Sequence, residues 1–133
     1  MSDFELVSEI LKQILLASEL ILKRVKHIKT AEDFLKNDRN LEKLDALCMQ
    51  LIAIGESIKN LDKITKKSLF KKYPGFEWKK AMGMRDVISH HYFDINSEIV
   101  FQVCKEEIPK LNKTVKFILS QENHYSIRKD RLK

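Results

Sequence analysis

Turn-forming residues are scarce in this chain, whose 133 residues include three glycines and two prolines. A β sandwich or barrel needs many tight turns, and so few Gly and Pro argue against one. Cysteine is equally sparse. Cys48 and Cys104 lie far apart, without a C-x-x-C spacing and each among apolar residues, so buried reduced thiols of a cytosolic protein are expected. No apolar run approaches the roughly 20 residues of a membrane span. The opening Met1-Ser2-Asp3-Phe4-Glu5 is acidic and lacks the basic flank and apolar stretch of a signal peptide. A cytoplasmic protein with no membrane partner is therefore expected. There is no internal repeat, low-complexity linker or glycine-rich loop to cradle phosphates, and the length suits one domain with one core.

What is present is helix former and positive charge. Leu, Ile, Lys and Glu abound, and the formal net charge is +6, which fits a polyanionic partner without requiring one. Much of the excess sits in one stretch, where Lys59, Lys63, Lys66, Lys67, Lys71, Lys72, Lys79 and Lys80 face only Asp62 and Glu77. A second cluster is Arg128-Lys129-Asp130-Arg131-Leu132-Lys133. It follows the last apolar pattern, so residues 1–120 read as one helical domain and residues 121–133 as a basic tail.

Apolar spacing predicts an all-α fold, an antiparallel four-helix bundle with additional short helices. Ser2 and Glu5 have capping-box spacing, and a first helix is expected from about Asp3 to His27. Thr30 can cap a short helix over Ala31 to Leu35. A long helix then carries Leu41, Leu44, Leu47, Cys48, Leu51, Ile52, Ile54, Ile58 and Leu61. Gly55 interrupts it at a cost of about 1 kcal/mol relative to alanine, which predicts a close helix contact there. A short helix from about Thr65 to Lys72 should stop at Tyr73-Pro74-Gly75. A fourth major helix is expected from Phe76 to His90 or His91. Asp94, Asn96 and Ser97 offer caps for the last helix, which Pro109 should kink.

The segment Met84-Arg85-Asp86-Val87-Ile88-Ser89-His90-His91-Tyr92 concentrates chemistry. Cutting RNA without a metal requires a group of near-neutral pKa to move protons at the 2′-hydroxyl and the leaving oxygen, and a cation for the developing phosphorane charge. Histidine and arginine suit these roles. Asp86 precedes His90 by one helical turn and can orient its ring. On an ideal helix Arg85 and His90 point about 140° apart. Either the helix end is distorted, or the site lies in a cleft between two chains; the second is favoured because so small a bundle should offer little concave surface of its own. Two plainer interpretations compete: Arg85 and Asp86 form a surface ion pair while His90 and His91 suit a helix C-terminus, or His90, His91 and Asp94 hold a metal, although adjacent histidines diverge on a helix. His27 and His124, near segment ends, read as surface residues.

The same residues resemble the HEPN motif in its extended HepT form R-x-x-x-x-H-x-Y, as Arg85, Asp86, His90 and Tyr92. Leu51-Ile52-Ala53-Ile54-Gly55-Glu56-Ser57 is similar to that family's I-G-E segment. Tyr73-Pro74 through Trp78 and then Gly83-Met84-Arg85 resemble its P-x-x-x-W…G-M-R run, and Tyr92-Phe93-Asp94-Ile95 and Ile108-Pro109-Lys110-Leu111 also fit. The matches span about Phe34 to Leu111. The resemblance implies a homodimeric, metal-independent endoribonuclease with no cofactor, often acting on tRNA, encoded as a toxin beside a minimal nucleotidyltransferase antitoxin. It also implies that the antitoxin adenylylates Tyr92, placing bulk and negative charge beside Arg85 and His90. Lys66, Lys67, Lys71 and Lys72 can then hold RNA phosphates at the rim of the cleft. His91 can assist, bind RNA or face solvent, and Glu56 can reach the site or a partner helix, or simply lie on the bundle surface as glutamates more commonly do. Alternatives are a noncatalytic helical adaptor that serves as the nucleotidyltransferase's substrate, and a plain structural bundle.

Overall fold

A computed structural model of the chain describes residues 3–89 and 97–131. Helix α1 spans Asp3–Arg24, α2 Asp38–Ile64, α3 Trp78–Met82, α4 Met84–Ser89, α5 Ser97–Gln102 and α6 Ile108–Arg131. Short 3-10 turns occupy Ala31–Leu35 and Phe70–Lys72, and a π turn, Val103–Glu107, joins α5 to α6. There is no strand among the described residues, and the all-α expectation holds. Four helical units, α1, α2, α3 with α4, and α5 with α6, surround one apolar core.

The apolar stripe of α2 forms the middle of that core, where Leu47, Leu51, Ile54, Ile58 and Leu61 are all but inaccessible. Each such side chain contributes on the order of 1.5–3 kcal/mol by leaving water. Helix α1 buries Leu11, Ile14 and Ile21 against α2 and α6. Two polar links fix its antiparallel register, one with α6 and one between the residue after α1 and the π turn. The buried Asn112 amide donates to Ser18 Oγ at 3.0 Å, and Lys105 Nζ donates to the Val25 carbonyl at 2.6 Å. The Ser18 hydroxyl in turn donates to the Leu15 carbonyl, so no member of this buried chain is left unmet. Cys48 and Cys104 are buried free thiols, as expected. Burial pushes them up to about 11 and about 12, respectively, far from the thiolate form.

Several element ends differ from the sequence expectation. Helix α1 stops at Arg24, three residues before His27. The helix expected over Thr65 to Lys72 does not form as a unit. Lys66 and Lys67 instead take left-handed backbone angles, with φ of 53° and 64°, and Lys67 N–H reaches back to the Asp62 carbonyl at 2.8 Å to close α2. Only Phe70–Lys72 remains helical, and Tyr73-Pro74-Gly75 ends it as foreseen. The fourth helix breaks at Gly83, where ψ of −2° departs from helical geometry. Pro109 acts through the turn before it, since the π turn ends two residues upstream and rearranges the ladder where the ring would crowd the preceding carbonyl. The backbone of residues 121–131, set apart above as a basic tail, continues α6. Ser2, Asp94 and Asn96, considered above as caps, lie outside the described residues.

Candidate functional site

Helix α4 is short and held from one side. Met84 and Ile88, one turn apart, are buried, whereas Arg85, Asp86 and Val87 are exposed. The seat for this helix is prepared by Gly55 on α2. A Cβ added at Gly55 would lie 3.0 Å from the Ala81 carbonyl oxygen, 3.7 Å from Met84 Cβ and 3.9 Å from Arg85 N. The close contact predicted from a mid-helix glycine is therefore present, and its partners are the end of α3 and the start of the motif helix α4. Behind α4 a narrow apolar crevice of about 110 Å³ is lined by Met84, Ile88, Ile99, Val103, Ile108 and Leu111, among others.

The next residue on α2 reaches the motif. Glu56 Oε1 accepts from Arg85 Nη1 at 3.1 Å. Both side chains keep solvent contact, at 56% for Arg85 and 42% for Glu56. A pair so exposed contributes little to stability, about 0–1 kcal/mol, but it restrains the guanidinium on an open surface where an anion can approach. Glu56, for which the site, a partner helix and the open bundle surface were all considered, is in contact with Arg85. The ion pair of Arg85 with Glu56 crosses from α4 to α2. Asp86 lies in the first turn of α4 and makes no ion pair among the described residues. His90, His91, Tyr92 and Asp94 lie outside the described residues, as does the convergence of His90 with Arg85 or Asp86. Among the described residues no three His, Cys, Asp or Glu side chains are grouped to hold a metal.

The four lysines assigned to RNA separate. Lys67 and Lys71 line an open groove of about 850 Å³ together with Asp62, Phe70, Pro74, Phe76, Glu77, Trp78, Lys79, Lys80 and Met82. Lys72 instead pairs with Glu122 of α6 at 3.6 Å, and Lys66 does not line the groove. Glu122 also accepts from the Tyr73 hydroxyl at 3.0 Å. Burial, and then that carboxylate, push the Tyr73 phenol up to about 12. Lys72 and Tyr73 thus fasten the loop to α6 while Lys67 and Lys71 face outward. A bundle of this size was expected to offer little concave surface, and this groove corrects that: the loop between α2 and α3 anchors Leu69 and Phe70 in the core while its lysines stay exposed and make one wall.

Sequence reasoning did not single out the aromatic floor of the groove. Phe70 and Trp78 stack with ring centroids 4.0 Å apart, and Phe76 tilts against Trp78 at 4.6 Å. The indole N–H donates to the Tyr73 carbonyl at 2.8 Å. Spacing alone hides this cluster because it assembles across a turn, although Phe76, Trp78 and a run of lysines are adjacent in the sequence.

Comparison with known proteins agrees with this architecture. The model of the "Ribonuclease HepT-like" family matches residues 10–118. A protein of Caldanaerobacter subterraneus subsp. tengcongensis named "Putative RNase" is 40% identical over 112 residues, which cover 84% of this chain and 93% of that one. A "Probable ribonuclease HepT" of Thermococcus cleftensis is 32% identical over 101 residues, 76% of this chain and 84% of its own. A Methanocaldococcus jannaschii protein named as both a gamma-glutamylcyclotransferase and an RNase is 33% identical over 111 residues, 84% of this chain but 46% of the larger protein. No solved structure matches the chain significantly. No helix among the described residues is long and apolar enough to cross a membrane. With the family model covering most of its length, the chain belongs to the HepT-like ribonuclease family.

Proposed function

We propose that this ribonuclease is a metal-independent endoribonuclease toxin that cuts RNA, tRNA in particular, as a homodimer. The observation that carries the proposal is Arg85, exposed on α4 and braced by Glu56, in a chain of a ribonuclease family. A guanidinium so held meets a phosphate with two parallel donors and stabilises the charge that builds on its oxygens as the 2′-hydroxyl attacks phosphorus. His90 takes the 2′-hydroxyl proton as the 2′-oxygen bonds to phosphorus and, as imidazolium, returns it to the 5′-oxygen as the bond from phosphorus to that oxygen breaks, while Asp86 orients the imidazole. Lys66, Lys67, Lys71, Lys72 and His91 supply positive charge around this centre. Because Lys72 is engaged with Glu122, it contributes to the local field more than to direct phosphate contact.

The partner that restrains this activity is a minimal nucleotidyltransferase antitoxin, and its target is Tyr92. An AMP group two residues from His90 adds bulk and negative charge where an RNA phosphate must enter. The test is production of the chain with and without a cognate nucleotidyltransferase, followed by intact-mass measurement and RNA cleavage. The expected result is an AMP increment that disappears in Tyr92→Phe, with cleavage confined to the unmodified protein. An AMP increment with no cleavage by the unmodified form would instead identify a noncatalytic substrate of the transferase.

A further inference from the structure

The groove beside α3 combines positive charge with an aromatic cluster that the cleavage chemistry does not use. Lys67, Lys71 and Lys79 line it and form no ion pair among the described residues, while Lys80 is partly neutralised by Glu77 at 3.9 Å and Glu107 at 3.6 Å. Four lysines against Asp62 and Glu77 leave the lining positive. Its apolar part is aromatic: Trp78 and Phe70 form the floor, and the half-buried Phe76 leans on the indole. Trp78 is buried, with Phe70 stacked on its ring and its indole N–H bonded to the Tyr73 carbonyl, so the π surface open to an incoming group is that of Phe76. Lys67 holds its place by a left-handed backbone, a conformation that glycine or asparagine adopts at lower cost. One end of the groove is Met82, which Gly83 and Met84 connect directly to Arg85.

The geometry points to this groove as a subsite for an unpaired nucleotide flanking the cut, with its base against the Phe76 ring that leans on Trp78 and its phosphates on Lys67, Lys71 and Lys79. The inference rests on the ribonuclease assignment and adds a substrate class to it, RNA that is single-stranded beside the scissile bond. Duplex RNA keeps its bases stacked on one another and can offer the groove only its backbone, whereas a splayed base can use the aromatic face as well. A volume of about 850 Å³ lies within the range of sites that bury small organic ligands. Charge complementarity makes the occupant an anion, and the aromatic floor makes it one with a planar ring.

Trp78 is the single tryptophan of the chain and therefore reports on its own site. His90→Ala protein, used so that RNA stays intact, is titrated with a fluorescent single-stranded oligouridine of about ten nucleotides and with a duplex of equal length. Binding is followed by anisotropy and by tryptophan emission. The expected result is saturable quenching of Trp78 by the single strand at the same midpoint as the anisotropy change, with affinity about tenfold above that for duplex. Phe76→Leu, which keeps apolar bulk but removes the ring, should weaken single-strand binding about tenfold and leave duplex binding unchanged. Lys71→Gln with Lys79→Gln should lower the salt dependence of single-strand binding by about 1.4 in log–log slope. Binding without quenching, or equal affinity for the two RNA forms, would overturn the subsite. If the unsubstituted protein still cuts RNA in that case, the subsite alone fails; if it neither binds nor cuts any RNA, the nuclease assignment fails with it.

Discussion

Arg85 shows how a residue with little to contribute to stability can be placed for chemistry. Its ion pair with Glu56 is too exposed to matter much to folding, yet it fixes one end of a long side chain at an open surface. Glu56→Gln should therefore leave the melting midpoint within about 0.5 kcal/mol of the parent while lowering kcat for RNA about tenfold with KM little changed, because a loosened guanidinium loses transition-state contact first. Unchanged kcat would reduce the pair to an incidental surface contact. The sequence pointed to Glu56 through its place beside Gly55, but it did not identify the partner. The two ends of the bond are 29 residues apart on different helices, and local periodicity carries no information about which exposed side chains meet across a bundle.

At the level of elements, glycine was the most informative residue type. Gly55 within an otherwise regular helix predicted a close neighbour, and the neighbour is the α3–α4 unit that carries Arg85. Gly55→Ala adds helix propensity of about 1 kcal/mol but presses against the Ala81 backbone carbonyl, an overpacking cost of about 1–3 kcal/mol. A net loss of about 1 kcal/mol in chemical denaturation is expected, together with a larger proportional loss of RNA cleavage as α4 shifts. Full activity with raised stability would show that α4 does not depend on this contact. Helix ends were less legible, because they depend on tertiary competition. Lys66 and Lys67 looked helical by composition, but α2 closes its C-terminus by turning them left-handed. The short helix before α2 was legible through Thr30, whereas the part played by Asp33 was not. The Lys36 ammonium first, and then the backbone N–H groups of Lys29 and Thr30, hold the Asp33 carboxyl well below the usual carboxylate range. A carboxyl depressed by folding stabilises fully above its unfolded pKa of about 4 and progressively less as pH falls below it. Asp33→Asn should thus lower the melting temperature at neutral pH, and the gap from the parent should narrow on acidification below about pH 4. A gap independent of pH would contradict that role.

On the scale of the molecule, the all-α bundle followed from apolar spacing and the shortage of turn residues, and the family from an ordered set of motifs along most of the chain. The groove was not legible, since it arises from a loop pinned to the core by Leu69 and Phe70 and to α6 by Tyr73 and Lys72 on Glu122, contacts between segments far apart in sequence. The divergence of Arg85 and His90 around an ideal helix argues for a cleft built from two chains. Mixing Arg85→Ala with His90→Ala protein tests it: a heterodimer carries one site with both residues intact, so about a quarter of the parent activity should return for a two-chain site. None should return if each chain holds a complete site. The central claim is that the Arg85–Tyr92 segment cuts RNA without a metal, and its most direct test is cleavage of defined RNA by purified protein in excess chelator. Parent protein should retain full activity under these conditions, with Arg85→Ala and His90→Ala each lowering the rate at least about a hundredfold; abolition of parent cleavage by the chelator, or equal cleavage by His90→Ala, would contradict it.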